Sequence, residues 1–171
     1  MNECKLSEKN WTRVAVFAGG DRGHYQTDFD CFVGVDRGSL WVLEEKLPLA
    51  LAVGDFDSVT VEERQLIQEC SQHFVQAQPE KDDTDLELAL LTIFEKNPQA
   101  QVTIFGALGG RIDHMLANVF LPSNLKLAPY MRQIEIEDGQ NLIRYCPEGA
   151  SQLEPRSDYD YLAFMPVRDS Q

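Results

Sequence analysis

Residues 31–57 read CFVGVDRGSLWVLEEKLPLALAVGDFD, and the alternation inside this stretch decides the fold. Residues 31–35 form a short β-rich apolar run that ends at Asp36-Arg37-Gly38. A short helical pattern follows over residues 39–45, and a second apolar run, residues 49–53, ends at Gly54-Asp55. Strand, helical crossover and strand in that order make a βαβ unit, which places its two strands parallel in one sheet.

The same alternation extends both ways. Upstream, residues 13–18 (RVAVFA) read as a strand ending at Gly19-Gly20. Downstream, Thr60-x-x-Glu63 is a capping-box pattern opening a longer helix, and residues 74–78 read as a fourth strand. The acidic turn Asp82-Asp83-Thr84-Asp85 leads into a helix that runs to about Lys96, with Thr84-x-x-Glu87 as a second capping box and Asn97-Pro98 as its stop. Residues 101–105 (QVTIF) supply a fifth strand, followed by the loop Gly106-Ala107-Leu108-Gly109-Gly110-Arg111 and a helix over residues 113–120. From Arg132 the texture changes. Ile134-Glu135-Ile136-Glu137 alternates with period two, Asp138-Gly139 is a hairpin turn signal, and residues 141–145 return as a partner strand. The expected fold is therefore α/β: a three-layer domain with a mostly parallel sheet over residues 1–128. Residues 129–171 are expected to begin an antiparallel, sandwich-like β domain, with further short strands near Gln152-Leu153 and over residues 161–165.

Composition narrows the partners. The 171 residues carry 28 acidic against 15 basic side chains, a formal charge of -13, and no Lys/Arg-rich run, which argues against a nucleic-acid partner. A small phosphorylated ligand remains compatible, because a divalent cation held by carboxylates reverses the local sign of the charge. Cys4, Cys31, Cys70 and Cys146 lie far apart with no C-x-x-C pair, as expected of free thiols in a reduced compartment. No apolar leader or membrane-length run occurs, so the expectation is a soluble cytoplasmic protein with no membrane partner.

The polar clusters fall where a parallel sheet would gather them. Asp36, Asp55 with Asp57, the turn around Asp85, and the Gly109–His114 segment each follow an expected strand, and loops leaving the carboxyl ends of parallel strands share one edge. Asp55 and Asp57 stand two residues apart, so one turn of backbone can aim both at a hard cation; equally, Asp57 or Ser58 caps the next helix and Asp55 is a solvated turn residue. Three acids in the four residues from Asp82 to Asp85, beside Lys81, exceed what capping and the helix dipole require. That excess favours a metal role for Asp85. Gly109, Gly110, Arg111, Asp113 and His114 combine a glycine turn, a guanidinium and a helix start, which are the materials for holding phosphate oxygens. Alternatively, Arg111 and Asp113 form a surface ion pair and His114 is solvated.

Four motifs in this order resemble the thiamine pyrophosphokinase family: Val35-Asp36-x-Gly38, Val53-Gly54-Asp55-Phe56-Asp57-Ser58, Lys81-Asp82-x-Thr84-Asp85 and Gly109-Gly110-Arg111-x-Asp113-His114. The resemblance runs from Val14 to Asn118 and continues more weakly from Ile134 to Asn141. It implies a catalytic α/β domain followed by a β-sandwich, a homodimer, and a Mg²⁺-dependent transfer of pyrophosphate from ATP to the thiamine hydroxyl, giving thiamine diphosphate and AMP. It further implies Asp55, Asp57 and Asp85 as metal ligands with Asp36 close by. Lys81, Gly109, Gly110 and Arg111 would contact phosphates, Asp113 would stand at the reaction centre, and His114 would lie beside them. Arg37 departs from the glycine of many relatives, and the thiamine-binding β portion is expected to be truncated. The rival readings are a nucleotide–Mg²⁺ binding module with an incomplete thiamine pocket, and a related Mg²⁺-dependent phosphohydrolase.

Overall fold

The computed structural model describes residues 10–21, 23, 25, 28–77, 83–154 and 156–166. Its elements run β1 (Arg13–Phe17), β2 (Cys31–Val35), α1 (Gly38–Glu44), β3 (Leu49–Gly54), α2 (Val61–Cys70), β4 (His73–Gln76), α3 (Asp85–Lys96), β5 (Gln101–Phe105), α4 (Ile112–Phe120), β6 (Ile134–Glu137) and β7 (Leu142–Arg144). Two short 3-10 turns, Leu121–Ser123 and Ala128–Gln133, link α4 to β6.

The strands form one seven-stranded sheet in the order β4-β3-β2-β1-β5-β6-β7. Every pairing is parallel except β6 with β7. Parallel strands need crossovers that cover the sheet, so the central strands are buried on both faces and read as near-continuous apolar runs. All five residues of β2 and all six of β3 are buried. Alternate side chains then divide between two cores. Val14, Val16, Val33 and Val53 face α3, which buries Leu86, Ala89, Leu90, Ile93 and Phe94. Ala15, Phe17, Phe32 and Ala52 pack with Leu40 and Val42 of α1 and Ile67 of α2.

The two strands after Arg132 join the main sheet, and a separate antiparallel lobe is not shown among the described residues. Ile134–Glu137 pairs in parallel with β5, Ile136 opposite Ile104, and only β7 returns antiparallel, at the sheet edge. Period-two alternation records that one face is buried; it carries no information about which strand lies alongside. Here Ile134 and Ile136, both 0% exposed, complete the α3-side core. The crossover through α4 and the 3-10 turns supplies the length a parallel return needs. Among the described residues the strands expected near Gln152-Leu153 and over residues 161–165 do not form, and Tyr161, Leu162, Phe164 and Met165 are all exposed. Among the described residues no helix is long and apolar enough to cross a membrane. Cys31 and Cys70 are buried, Cys146 is exposed, and Cys4 lies outside the described residues.

Helix α1 sits so close to the sheet that Gly38 admits no side chain: a Cβ there would stand 1.9 Å from the Phe17 carbonyl oxygen. Because that obstacle is backbone, it cannot rotate away. Gly38→Ala is expected to lower unfolding free energy in urea titration by about 2–3 kcal/mol, whereas Gly19→Ala is expected to stay within about 0.5 kcal/mol of the parent. A Cβ at Gly19 would meet nothing within 4 Å.

Candidate active site at the carboxyl edge of the sheet

Strands β1 to β6 run parallel, so the loops that follow them open on one edge. After β2 the chain turns at Asp36 in a left-handed conformation (φ 48), and its N–H donates to the Val53 carbonyl at 2.9 Å. This bond pins the Asp36 turn to the end of β3. Gly54 then makes room for the side chain, since a Cβ at 54 would lie 1.9 Å from Asp36 Oδ1. Phe56 is also left-handed (φ 58), is buried, and stacks on Phe74 with ring centroids 4.8 Å apart. Its N–H donates to Asp36 Oδ1 at 3.2 Å. A bulky residue at positive φ carries a cost of about 1–2 kcal/mol and persists only where its surroundings hold it. The strain is stored between Asp55 and Asp57.

Asp85 arrives from the other side of the sheet as the first residue of α3, behind the Thr84 cap. One carboxylate oxygen from each of Asp36, Asp55 and Asp85 lies within 4.8 Å of the other two. The Asp36 carboxyl is pushed up from 3.8 to about 7: burial is the main cause, the Phe56 N–H offsets it in part, and the charges of Asp85, Asp55 and Asp57 add to it. Three half-buried carboxylates at this spacing, one of them reluctant to ionise, suit a hard divalent cation that takes oxygen ligands. Asp57 is exposed and not one of the three; its N–H donates to Asp55 Oδ1 at 3.1 Å, which orients the Asp55 carboxylate. The expected ligand set named Asp57 and left Asp36 beside it, whereas the fold brings Asp36 within reach. The left-handed turn that swings Asp36 over Gly54 leaves no mark in the residue pattern.

The chain winds outward from β1 to β4 on one side, then crosses to β5 on the other, so the order reverses between β1 and β5. Such a reversal leaves a crevice at the strand ends. Gly20 and the glycine loop after β5 meet there, with Gly20 N–H donating to the Gly106 carbonyl at 2.9 Å. The Gly19-Gly20 turn, read from sequence only as a strand end, thus belongs to the same edge. Its Gly-Gly-Asp sequence after a β run was the available signal. Gly109 and Gly110 are both left-handed and surrounded by open space. Arg111 holds Asp113 through two hydrogen bonds, 3.2 Å from Nε and 2.6 Å from Nη2, and both side chains are exposed. This guanidinium pulls the Asp113 carboxyl below its ordinary value. His114 is exposed in the first turn of α4. Lys81 and Asp82 lie outside the described residues.

Residues 23–136 match the family described as thiamin pyrophosphokinase, catalytic domain. The chain belongs to the thiamin pyrophosphokinase family. Membership makes it a kinase, a transferase enzyme of the thiamin pyrophosphokinase type. It is 35% identical over 167 residues to thiamine pyrophosphokinase of Bacillus subtilis (strain 168), spanning 91% of this chain and 74% of that one. Among solved structures, a thiamin pyrophosphokinase family protein from Enterococcus faecalis is 48% identical, with a TM-score of 0.77 over 81% of this chain and 67% of that one. The structure of thiamin pyrophosphokinase from Geobacillus thermodenitrificans is 37% identical, with a TM-score of 0.62 over 77% of this chain and 61% of that one. The chain thus spans about two thirds of the length of these solved relatives. Its matched region spans the residues from Val35-Asp36 to Asp113-His114 on which the resemblance rests.

The raised Asp36 carboxyl sets a pH window. Because the folded state keeps this proton where the unfolded chain releases it, the associated stability is complete below about pH 4 and is lost as pH rises to about 7. The melting-temperature difference between metal-free Asp36→Asn and the parent is expected to be smallest near the acid end. It should grow in favour of the variant through that window and then level off. A difference independent of pH would contradict the assignment.

Proposed function

We propose that Asp36, Asp55 and Asp85 hold a Mg²⁺ ion against the phosphates of ATP, and that the chain transfers the terminal pyrophosphoryl group to the hydroxyl of thiamine. The observation that carries this reading is the convergence of the three carboxylates within 4.8 Å in a member of the thiamin pyrophosphokinase family. When bound, such an ion neutralises phosphate oxygens and polarises the phosphorus under attack. The thiamine oxygen would form its bond to the β-phosphorus while the bond from that phosphorus to the α–β bridging oxygen breaks. AMP leaves with that oxygen, and the hydroxyl proton passes to solvent or a nearby base. Transfers of this kind need positioning and charge neutralisation more than covalent help from protein.

The protein's own groups divide this work. Gly109 and Gly110 would let phosphate oxygens approach the backbone, and Arg111, exposed on the same edge, would pair with them, with Lys81 as a second cation. Asp113 is a poor proton acceptor while Arg111 lowers its carboxyl; its proposed role is to orient that guanidinium, with His114 beside it. Asp57, exposed next to the triad, would reach the ion through water or on closure. The α/β unit extends through β7, so the thiamine-binding part is proposed for the residues that follow Arg144, on the family alone. A homodimer and a cytoplasmic location are proposed from the family alone.

Incubation with ATP, Mg²⁺ and thiamine is expected to yield AMP and thiamine diphosphate in equal amounts by chromatography. Release of orthophosphate would instead support a phosphohydrolase, and ATP binding without thiamine binding would support a nucleotide-binding module. Asp55→Asn and Asp85→Asn, folded by circular dichroism, are each expected to lose about 100-fold or more in kcat/KM. Full Mg²⁺-dependent AMP formation by either would remove that residue from the ligand set.

A further inference from the structure

The two capping-box sequences behave differently. At α2 the box closes: Glu63 N–H donates to Thr60 Oγ1 at 3.2 Å, and Thr60 N–H donates to Glu63 Oε2 at 2.8 Å. At α3 only the first half forms, with Glu87 N–H donating to Thr84 Oγ1 at 3.2 Å. The Glu87 side chain, 7% exposed, turns instead to the segment after α4. Asn124 Nδ2 donates to Glu87 Oε1 at 2.9 Å, and Lys126 Nζ lies 3.7 Å from the same oxygen. Lys126 also pairs with Asp83.

That segment is a firm anchor. Leu121 and Leu127 on either side of Asn124 are buried in the core that α3 covers. Asn124 Oδ1 accepts from the N–H groups of Lys126 and Leu127, both at 3.0 Å, so the amide that shapes the turn also presents its NH2 to Glu87. The anchor continues into α4, where Asn118 Nδ2 donates to the Ala107 carbonyl of the glycine loop at 3.0 Å. Asp83 and Glu87 stand on either side of Asp85 in the chain. A tie at each leaves the turn between them little freedom, and groups behind a metal ligand control its aim.

We infer that Asn124 and Lys126, acting through Glu87 and Asp83, are positioning residues that aim the Asp85 carboxylate at Asp36 and Asp55. This rests on the reading that those three carboxylates hold a divalent cation. A clamp that only fastened α3 to the core would move stability and leave metal affinity unchanged. The test is Mn²⁺ titrated into the full chain, with free ion counted by electron paramagnetic resonance, for the parent, Asp55→Asn, Asn124→Asp, Lys126→Met and the double variant Asn124→Asp/Glu87→Gln. Asn124→Asp keeps the turn's acceptor but sets a carboxylate against Glu87, and is expected to weaken Mn²⁺ binding about tenfold or more. The double variant reverses the bond's direction, the amide introduced at 87 donating to the carboxylate introduced at 124, and is expected to recover affinity to within about threefold of the parent. Lys126→Met, at a half-exposed position, carries the test if Asn124→Asp does not fold, with about threefold or more weakening expected. Parent-like affinity in the folded single variants, or no recovery in the double, would overturn the inference. If Asp55→Asn weakens Mn²⁺ binding while these variants do not, the clamp alone is wrong; if Asp55→Asn also binds as the parent does, both the clamp and the metal reading fall.

Discussion

Parallel backbone pairing from β4 through β6 is the constraint on which the rest of the molecule depends. Strands that share a direction deliver their outgoing loops to one edge, and their crossovers cover both faces with helices. Between those layers only apolar side chains are tolerated, which is why β2 and β3 stay apolar until they end at Asp36 and Asp55. The polar residues are therefore displaced to the place where a charged ligand meets the sheet. The strand order reverses between β1 and β5, beside the glycine loops, which is where ligands of open parallel sheets bind.

At that edge, the local structure is arranged against its own immediate preference. Asp36 and Phe56 adopt left-handed backbone, and the Asp36 carboxylate lies where Gly54 lacks a side chain. Burial and three neighbouring acids make its ionised form costly, the Phe56 N–H being the main local compensation. Like charges held at this spacing are unfavourable until a cation joins them. The surrounding packing, Phe56 on Phe74 and α3 on the valines of the sheet, is what keeps the arrangement from relaxing.

Much of this was legible along the chain because its signals are local. The apolar runs of β1, β2, β3 and β5, the Thr60 and Thr84 caps, and acids placed directly after strands all follow from rules that act within a few residues. The alternation of Ile134 and Ile136 was equally visible, yet it led to a separate antiparallel lobe, since burial of one face does not name the neighbouring strand. Likewise Thr84-x-x-Glu87 matched a capping box, but Asn124 took the glutamate, a partner 37 residues away that no local pattern anticipates.

The sequence by itself determined the α/β class, the parallel direction of the early strands, the family, and the acids and glycines that crowd the strand ends. Hydrophobic period and short-range capping encode the elements, and the order of motifs encodes the kinship. Only the tertiary structure decided that β6 joins the main sheet, that Asp36 rather than Asp57 comes within 4.8 Å of Asp55 and Asp85, and that Glu87 faces Asn124. Each of these is a meeting of distant segments. Its outcome depends on register, crossover length and a missing Cβ, which exist only once the whole sheet has assembled.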